Sequence, residues 1–148
     1  GVPVVRRKTM VHTSMYRPKG KPKRGTGKRN GSPEHDIQVQ LVDYLDTLMP
    51  APLYSATVGG VRVAMHTALR MKRAGYRKGI PDLLIFEPRN GYVGLALEVK
   101  TKTGRASEHQ LKWQKELQNR GWKAEIRKGL EQCLEAIDEY FGINDGVL

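Results

Sequence analysis

Cysteine, long apolar runs and, over its first 33 residues, acidic residues are scarce or absent in this chain of 148 residues, and each shortage removes a class of protein. The one cysteine, Cys133, excludes an intramolecular disulfide framework and a cysteine-based zinc site, and fits a reducing compartment. No apolar stretch approaches the ~20 residues of a membrane span, so no membrane partner is expected. No hydrophobic segment follows Arg6-Arg7-Lys8, so a secretory leader is not expected either. There is no phosphate-binding P-loop, which argues against a nucleotide cofactor. No helix-turn-helix or zinc finger is evident for reading bases. His35, His66 and His109 are scattered without metal-ligand spacing and read as surface residues, and His12 belongs with the N-terminal stretch around it.

What is abundant is positive charge. The net charge is +11. Residues 1–33 contain ten Lys or Arg and no acid, whereas the remainder is nearly neutral. A concentrated excess of this kind points to a polyanion, above all nucleic acid. Residues 1–31 read as a flexible basic tail, because Lys19–Gly31 is mostly Lys, Arg, Gly and Pro and cannot build a packed core. Within it, Val2–Val5 and Val11–Tyr16 are less polar and could add an edge strand or a clamp. A purely solubilising extension is the competing reading. The tail also explains why only 39% of the residues are hydrophobic. Residues 32–148 read as one domain, and a domain near this size buries roughly 70% of its unfolded surface.

Ser32-Pro33 opens a helix, with a serine cap and proline at the first helical position. Ile37, Leu41, Tyr44, Leu45 and Leu48 follow at helical spacing, and Pro50 and Pro52 stop it. Leu53–Val58 reads as a strand, Gly59-Gly60 as a turn, and Val63–Arg73 as a basic helix ended by Gly75. Asp82–Phe86 and Tyr92–Lys100 read as strands of a hairpin about the turn Pro88-Arg89-Asn90-Gly91. Ser107-Glu108-His109-Gln110 has the form of a capping box for a helix running to about Arg120, with Gly121 after it. Lys123–Arg127 reads as a strand. Leu130, Leu134, Ile137 and Phe141 mark a last helix, with Cys133 one position off its stripe and given no role. Trp113 and Trp122 bracket a helix and read as core rather than as base-stacking platforms.

The chemistry concentrates at Gly79-Ile80-Pro81-Asp82 and Glu98-Val99-Lys100. On a strand, Leu95, Leu97 and Val99 face one way and Ala96, Glu98 and Lys100 the other. Glu98 and Lys100 are then roughly 6–7 Å apart. The hairpin brings Asp82 to Glu98. Two carboxylates alone repel, and a hard divalent cation such as Mg²⁺ or Mn²⁺ resolves the conflict. A lysine beside them can hold an attacking water and stabilise charge on a phosphate. The bland alternative is a surface hairpin with an ordinary ion pair. On the first helix, Glu34 and Gln38 share the face of Leu41, Leu45 and Leu48. Glu34 either turns inward to a partner such as a metal or complements the helix dipole. Asp36 competes with it from another face. Gln110 either closes the capping box or contacts the site. Arg62, Arg70, Lys72, Arg73, Arg77 and Lys78 form a run without an acid until Asp82, and with Lys102 they are the candidate DNA-binding residues. From Glu131 onward there are only acids, so that surface should avoid DNA.

From Glu34 to Tyr140 the sequence resembles the VRR-NUC branch of the PD-(D/E)XK nuclease superfamily. The resemblance runs through Glu34-x-x-x-Gln38, Gly59-Gly60, Gly75, Gly79-Ile80-Pro81-Asp82-Leu83, Leu97-Glu98-Val99-Lys100, Ser107-x-x-Gln110 and Gly121. It implies an α/β fold with a restriction-endonuclease-like core, a central mixed β-sheet flanked by helices. It implies Mg²⁺-dependent cleavage of DNA, with Mn²⁺ able to substitute, leaving 5′-phosphate and 3′-hydroxyl ends. Asp82 and Glu98 would ligate the metal, Val99 would add its carbonyl and Glu34 would assist. Lys100 would position or activate water, with Gln110 auxiliary. Standalone members of this branch resemble homodimeric Holliday-junction resolvases of bacteriophages, working in the cytoplasm of the bacterial host on its DNA. The alternatives are a flap or nicking nuclease of the same fold, a non-catalytic basic nucleic-acid-binding protein, and a phage packaging component that uses the tail as an anchor.

Overall fold

The computed structural model of the chain describes residues 1–8, 32–58 and 63–143. Most of the expected tail, Gly59-Gly60, Arg62 and the last five residues lie outside them. The described order is β1 (Arg6–Arg7), α1 (Pro33–Leu45), β2 (Leu48–Met49), β3 (Tyr54–Ala56), α2 (Met65–Arg73), β4 (Leu83–Ile85), β5 (Leu95–Lys100), α3 (Glu108–Asn119), β6 (Lys123–Lys128) and α4 (Gly129–Phe141). Four strands form a mixed sheet in the order β3-β4-β5-β6. The first two pairings are antiparallel and β5–β6 is parallel. A parallel neighbour requires a crossover, and α3 supplies it. This is the expected mixed sheet flanked by helices.

Strand β5 is buried along its whole length. Leu95, Leu97 and Val99 join Leu83 and Ile85 in a core completed by Leu41, Tyr44 and Leu45 of α1 and by Ile137, Tyr140 and Phe141 of α4. By strand alternation, Ala96, Glu98 and Lys100 belong to the opposite face. There Ala96 pairs with Ala124 of β6, and these small side chains leave room for α3. Gln114 and Gln118 of that helix donate to the Ala124 carbonyl at 3.2 and 3.1 Å.

Four expectations need correction. Leu48 does not extend α1. The Thr47 hydroxyl donates to the Tyr44 carbonyl at 2.7 Å, the helix stops at Leu45, and Leu48 is buried instead from β2. A residue three positions beyond the helix can fill the same core and mimic its period. Cys133 is fully buried within a stripe wider than expected, and burial pushes its thiol up to about 12. Trp113 and Trp122 are half-buried at the edge rather than in the core. Trp122 meets Phe86 edge-on, with ring centroids 5.9 Å apart. The hairpin strands are also shorter than expected, β5 beginning only at Leu95. The turn between β4 and β5 follows the sequence, with Asn90 and Gly91 both at positive φ (53° and 81°).

Within the expected tail of residues 1–31, the start of the chain adds an edge strand, as Val2–Val5 allowed, but places it at Arg6–Arg7. Val5 is buried, and Arg6–Arg7 pair antiparallel with Leu48–Met49. Arg7 donates from Nε to the Tyr44 hydroxyl at 2.8 Å and from Nη2 to Asp138 at 3.2 Å. Tyr44 in turn donates to Asp138, tying β1, α1 and α4 together. No helix among the described residues is long and apolar enough to cross a membrane.

Replacing Arg7 by Ala removes a largely buried ion pair and a hydrogen bond. Arg7→Ala should therefore lower stability by about 1–3 kcal/mol, read from the urea midpoint. An unchanged midpoint would show that this segment is not part of the folded domain.

Candidate metal centre

The centre is assembled where β5 passes between β4 and α3. Asp82 sits one residue before β4. Its Oδ2 accepts the Val99 N–H at 2.8 Å, so the acid is fixed to the strand that carries Glu98 and Lys100. The preceding backbone is held from the other side: Thr57 donates its N–H to the Asp82 carbonyl at 2.9 Å and its hydroxyl to the Pro81 carbonyl at 2.7 Å. Gly79 allows the approach to α3. It has φ of 95°, and a Cβ there would lie 2.6 Å from the His109 carbonyl carbon.

Glu98 is 3% exposed and Lys100 6%. The Lys100 ammonium lies 3.0 Å from Glu98 Oε1 and 3.9 Å from Glu34 Oε1. Gln110 donates from Nε2 to the same Glu98 oxygen at 2.6 Å. Its own Oε1 accepts the Ser107 N–H at 2.9 Å, while Ser107 Oγ accepts the Gln110 N–H at 3.2 Å. Both readings of Gln110 therefore hold together: the capping box locks the amide so that its nitrogen points at Glu98. The second carboxylate oxygen, Oε2, is buried and meets no hydrogen-bond donor among the described residues.

A buried and a half-buried carboxylate side by side leave their charge costly. Burial, followed by the neighbouring Asp82 charge, pushes Glu98 up to about 7 against the pull of Lys100. Asp82 is also raised, chiefly by burial, with the Val99 N–H and Lys100 opposing. A buried, unpartnered carboxylate oxygen beside a second carboxylate is a donor set suited to a hard cation, so the residues fit Mg²⁺ or Mn²⁺. Among the described residues no group of three or more His, Cys, Asp or Glu gathers at such a point. Glu34 reaches the cluster through the Lys100 ammonium, and its side chain remains 42% exposed. Asp36 is exposed. Val99 donates its N–H to Asp82. Thr57 escaped the sequence reading, because nothing local marks a threonine that braces a loop 24 residues away.

The basic candidates lie outside this cluster. Arg70, Lys72 and Arg73 are exposed in the last turn of α2, and Arg77 and Lys78 are exposed in the loop leading to Gly79. Lys102 is exposed in the turn after β5. Arg62 lies outside the described residues.

The family model of the VRR-NUC domain matches residues 37–130. The chain belongs to the VRR-NUC domain family. Its function is accordingly of the nuclease type, with DNA as the expected substrate. Asp82, Glu98, Lys100 and Gln110 lie within the matched span and Glu34 precedes it. Two solved structures share the fold. A VRR_NUC domain protein is 24% identical with a TM-score of 0.66, over 79% of this chain and 94% of its own. A second, a VRR_NUC domain, is 21% identical with a TM-score of 0.51, over 72% and 96%. No curated protein matches significantly.

The raised Glu98 carboxyl sets a pH dependence in this VRR-NUC domain. With its folded pKa above the unfolded one, the stability from its bound proton is complete below the ordinary carboxylate range. That stability is lost as pH climbs through about 7. In EDTA, Glu98→Gln should be more stable than the native protein at pH 8 by about 3 kcal/mol, and should lose that advantage near pH 4. Urea unfolding at both pH values measures it. A difference independent of pH would contradict the assignment.

Proposed function

We propose that this VRR-NUC domain is a Mg²⁺-dependent endodeoxyribonuclease, with Mn²⁺ able to substitute. We further propose that it acts as a homodimer and prefers branched DNA of the Holliday-junction kind. The observation that supports the reading most is the state of Glu98. One of its oxygens is committed to Lys100 and Gln110, and the other is buried beside Asp82 with no hydrogen-bond donor among the described residues. Asp82 and Glu98 would hold the cation, with the Val99 carbonyl and Glu34 assisting. When bound, such a cation polarises a phosphoryl oxygen, lowers the pKa of a water and neutralises charge on the leaving oxygen.

The remaining work falls to the chain's own groups. Glu98 holds the Lys100 ammonium in one orientation, where its other N–H bonds can fix a water and offset charge gathering on the phosphate. Gln110 keeps Glu98 from rotating away. Burial of both groups strengthens these interactions relative to water. Hydrolysis forms a bond from the water oxygen to phosphorus and breaks the bond to the 3′-oxygen, giving 5′-phosphate and 3′-hydroxyl ends. The exposed cations Arg70, Lys72, Arg73, Arg77, Lys78 and Lys102 would contact backbone phosphates, so binding should weaken steeply with salt.

Cleavage of labelled four-way junctions, flaps, nicked and linear duplexes tests this. Activity should require Mg²⁺ or Mn²⁺ and vanish in EDTA. Lys100→Ala and Asp82→Ala should each lose at least about 100-fold in rate while still binding DNA. Metal-independent cutting, or full activity in both variants, would remove the mechanism. Salt-sensitive binding with no cleavage of any substrate would leave a binding protein only.

A further inference from the structure

The centre uses one end of α3, and the side of this helix facing α2 has no part in the chemistry described above. Neither helix contains a buried residue. Between them lies a cavity of about 1080 Å³, whose apolar lining includes Met71, Tyr76, Trp113 and Leu117. That exceeds the roughly 300–1,000 Å³ usual for a small ligand. Lys72, Arg77, Lys112 and Arg120 also line it, with Glu116 as the one acid among the described residues. Glu116 is spent on Arg120, 2.5 Å away. The lining is therefore an indole, a phenol and aliphatic groups among cations.

This combination matches one polymer in particular. Phosphates satisfy the cations, and flat base faces cover the aromatic lining. A paired duplex hides its base faces in its own stack, so only an unpaired strand can use both. The cavity also adjoins the centre. The Trp113 indole donates to the Lys78 carbonyl at 3.0 Å. Gly79 is seated against His109, and the next residue along α3, Gln110, touches Glu98.

We infer that the groove between α2 and α3 holds an unpaired DNA strand, its bases stacked on Trp113 and Tyr76 and its phosphates on Lys72, Arg77 and Lys112. The direction of that strand, toward the scissile phosphate, rests on the nuclease reading; its binding does not. Such a strand arises where base pairs part at the branch point of a branched duplex, and an intact linear duplex does not offer one.

The test uses the full chain in EDTA, so its outcome does not depend on whether the protein cuts. Fluorescence anisotropy compares labelled duplexes of one length, blunt or carrying an oligothymidine arm. The armed duplex should bind more tightly. Tyr76→Ala should lower the armed-to-blunt affinity ratio by roughly 5- to 150-fold, the loss of one stacked base, and Lys112→Ala should lower it less. In a Trp122→Phe background, oligothymidine should quench the remaining Trp113 fluorescence, a readout that needs no change in the groove. Equal affinity for both duplexes, or an unchanged ratio in Tyr76→Ala, would overturn the inference. Tyr76→Ala converting a dimer to a monomer in sedimentation would also overturn it, because a second copy would then cover the groove.

Discussion

Glu98 is a carboxylate set in the middle of the most buried strand of the sheet, where an uncompensated charge is costly. The surrounding structure compensates half of it. Lys100 and Gln110 converge on Oε1, while Oε2 meets no donor among the described residues. A protein selected for stability alone would place an apolar side chain here, since well-packed apolar groups commonly match or exceed a buried ion pair. Under the proposed function a cation completes this carboxylate, with Asp82 as its second ligand, whose own carboxyl is raised chiefly by burial.

The frame around Glu98 fixes geometry more than it adds binding energy. The β4–β5 register carries Asp82 to the Val99 N–H. Thr57 braces the backbone of Pro81 and Asp82 from β3's side. The Ser107 cap decides which end of the Gln110 amide faces Glu98. Each constraint comes from a different element, so no single loop motion can disperse the cluster. The helices that stay exposed, α2 and α3, are the ones left free to meet DNA.

Features with local chemistry were legible in the sequence. Ser32-Pro33 and the Ser107–Gln110 box open helices where expected, and Asn90-Gly91 turns the hairpin that joins Asp82 to Glu98. Lys100 was placed beside Glu98 by strand alternation alone. Features set by distant partners were not legible. Arg7 meets Asp138 across 131 positions, and nothing in a basic N-terminal run distinguishes that arginine from its neighbours. Leu48 imitates helical spacing because a strand fills the same core from another direction. Trp113 read as core because an indole is mostly apolar, yet its N–H is spent on the Lys78 carbonyl and its ring lines a groove. Gln110 resisted a single assignment for a simpler reason: its oxygen and nitrogen do different jobs.

Calorimetric titration of the protein with Mn²⁺ tests the central claim most directly, because it reads the cation rather than the cleavage. The account predicts one saturable site per chain near neutral pH, with protons released on binding as Glu98 gives up its own, and loss of that site in Glu98→Gln. No saturable binding in the native protein, or the same binding with the same proton release in Glu98→Gln, would contradict it.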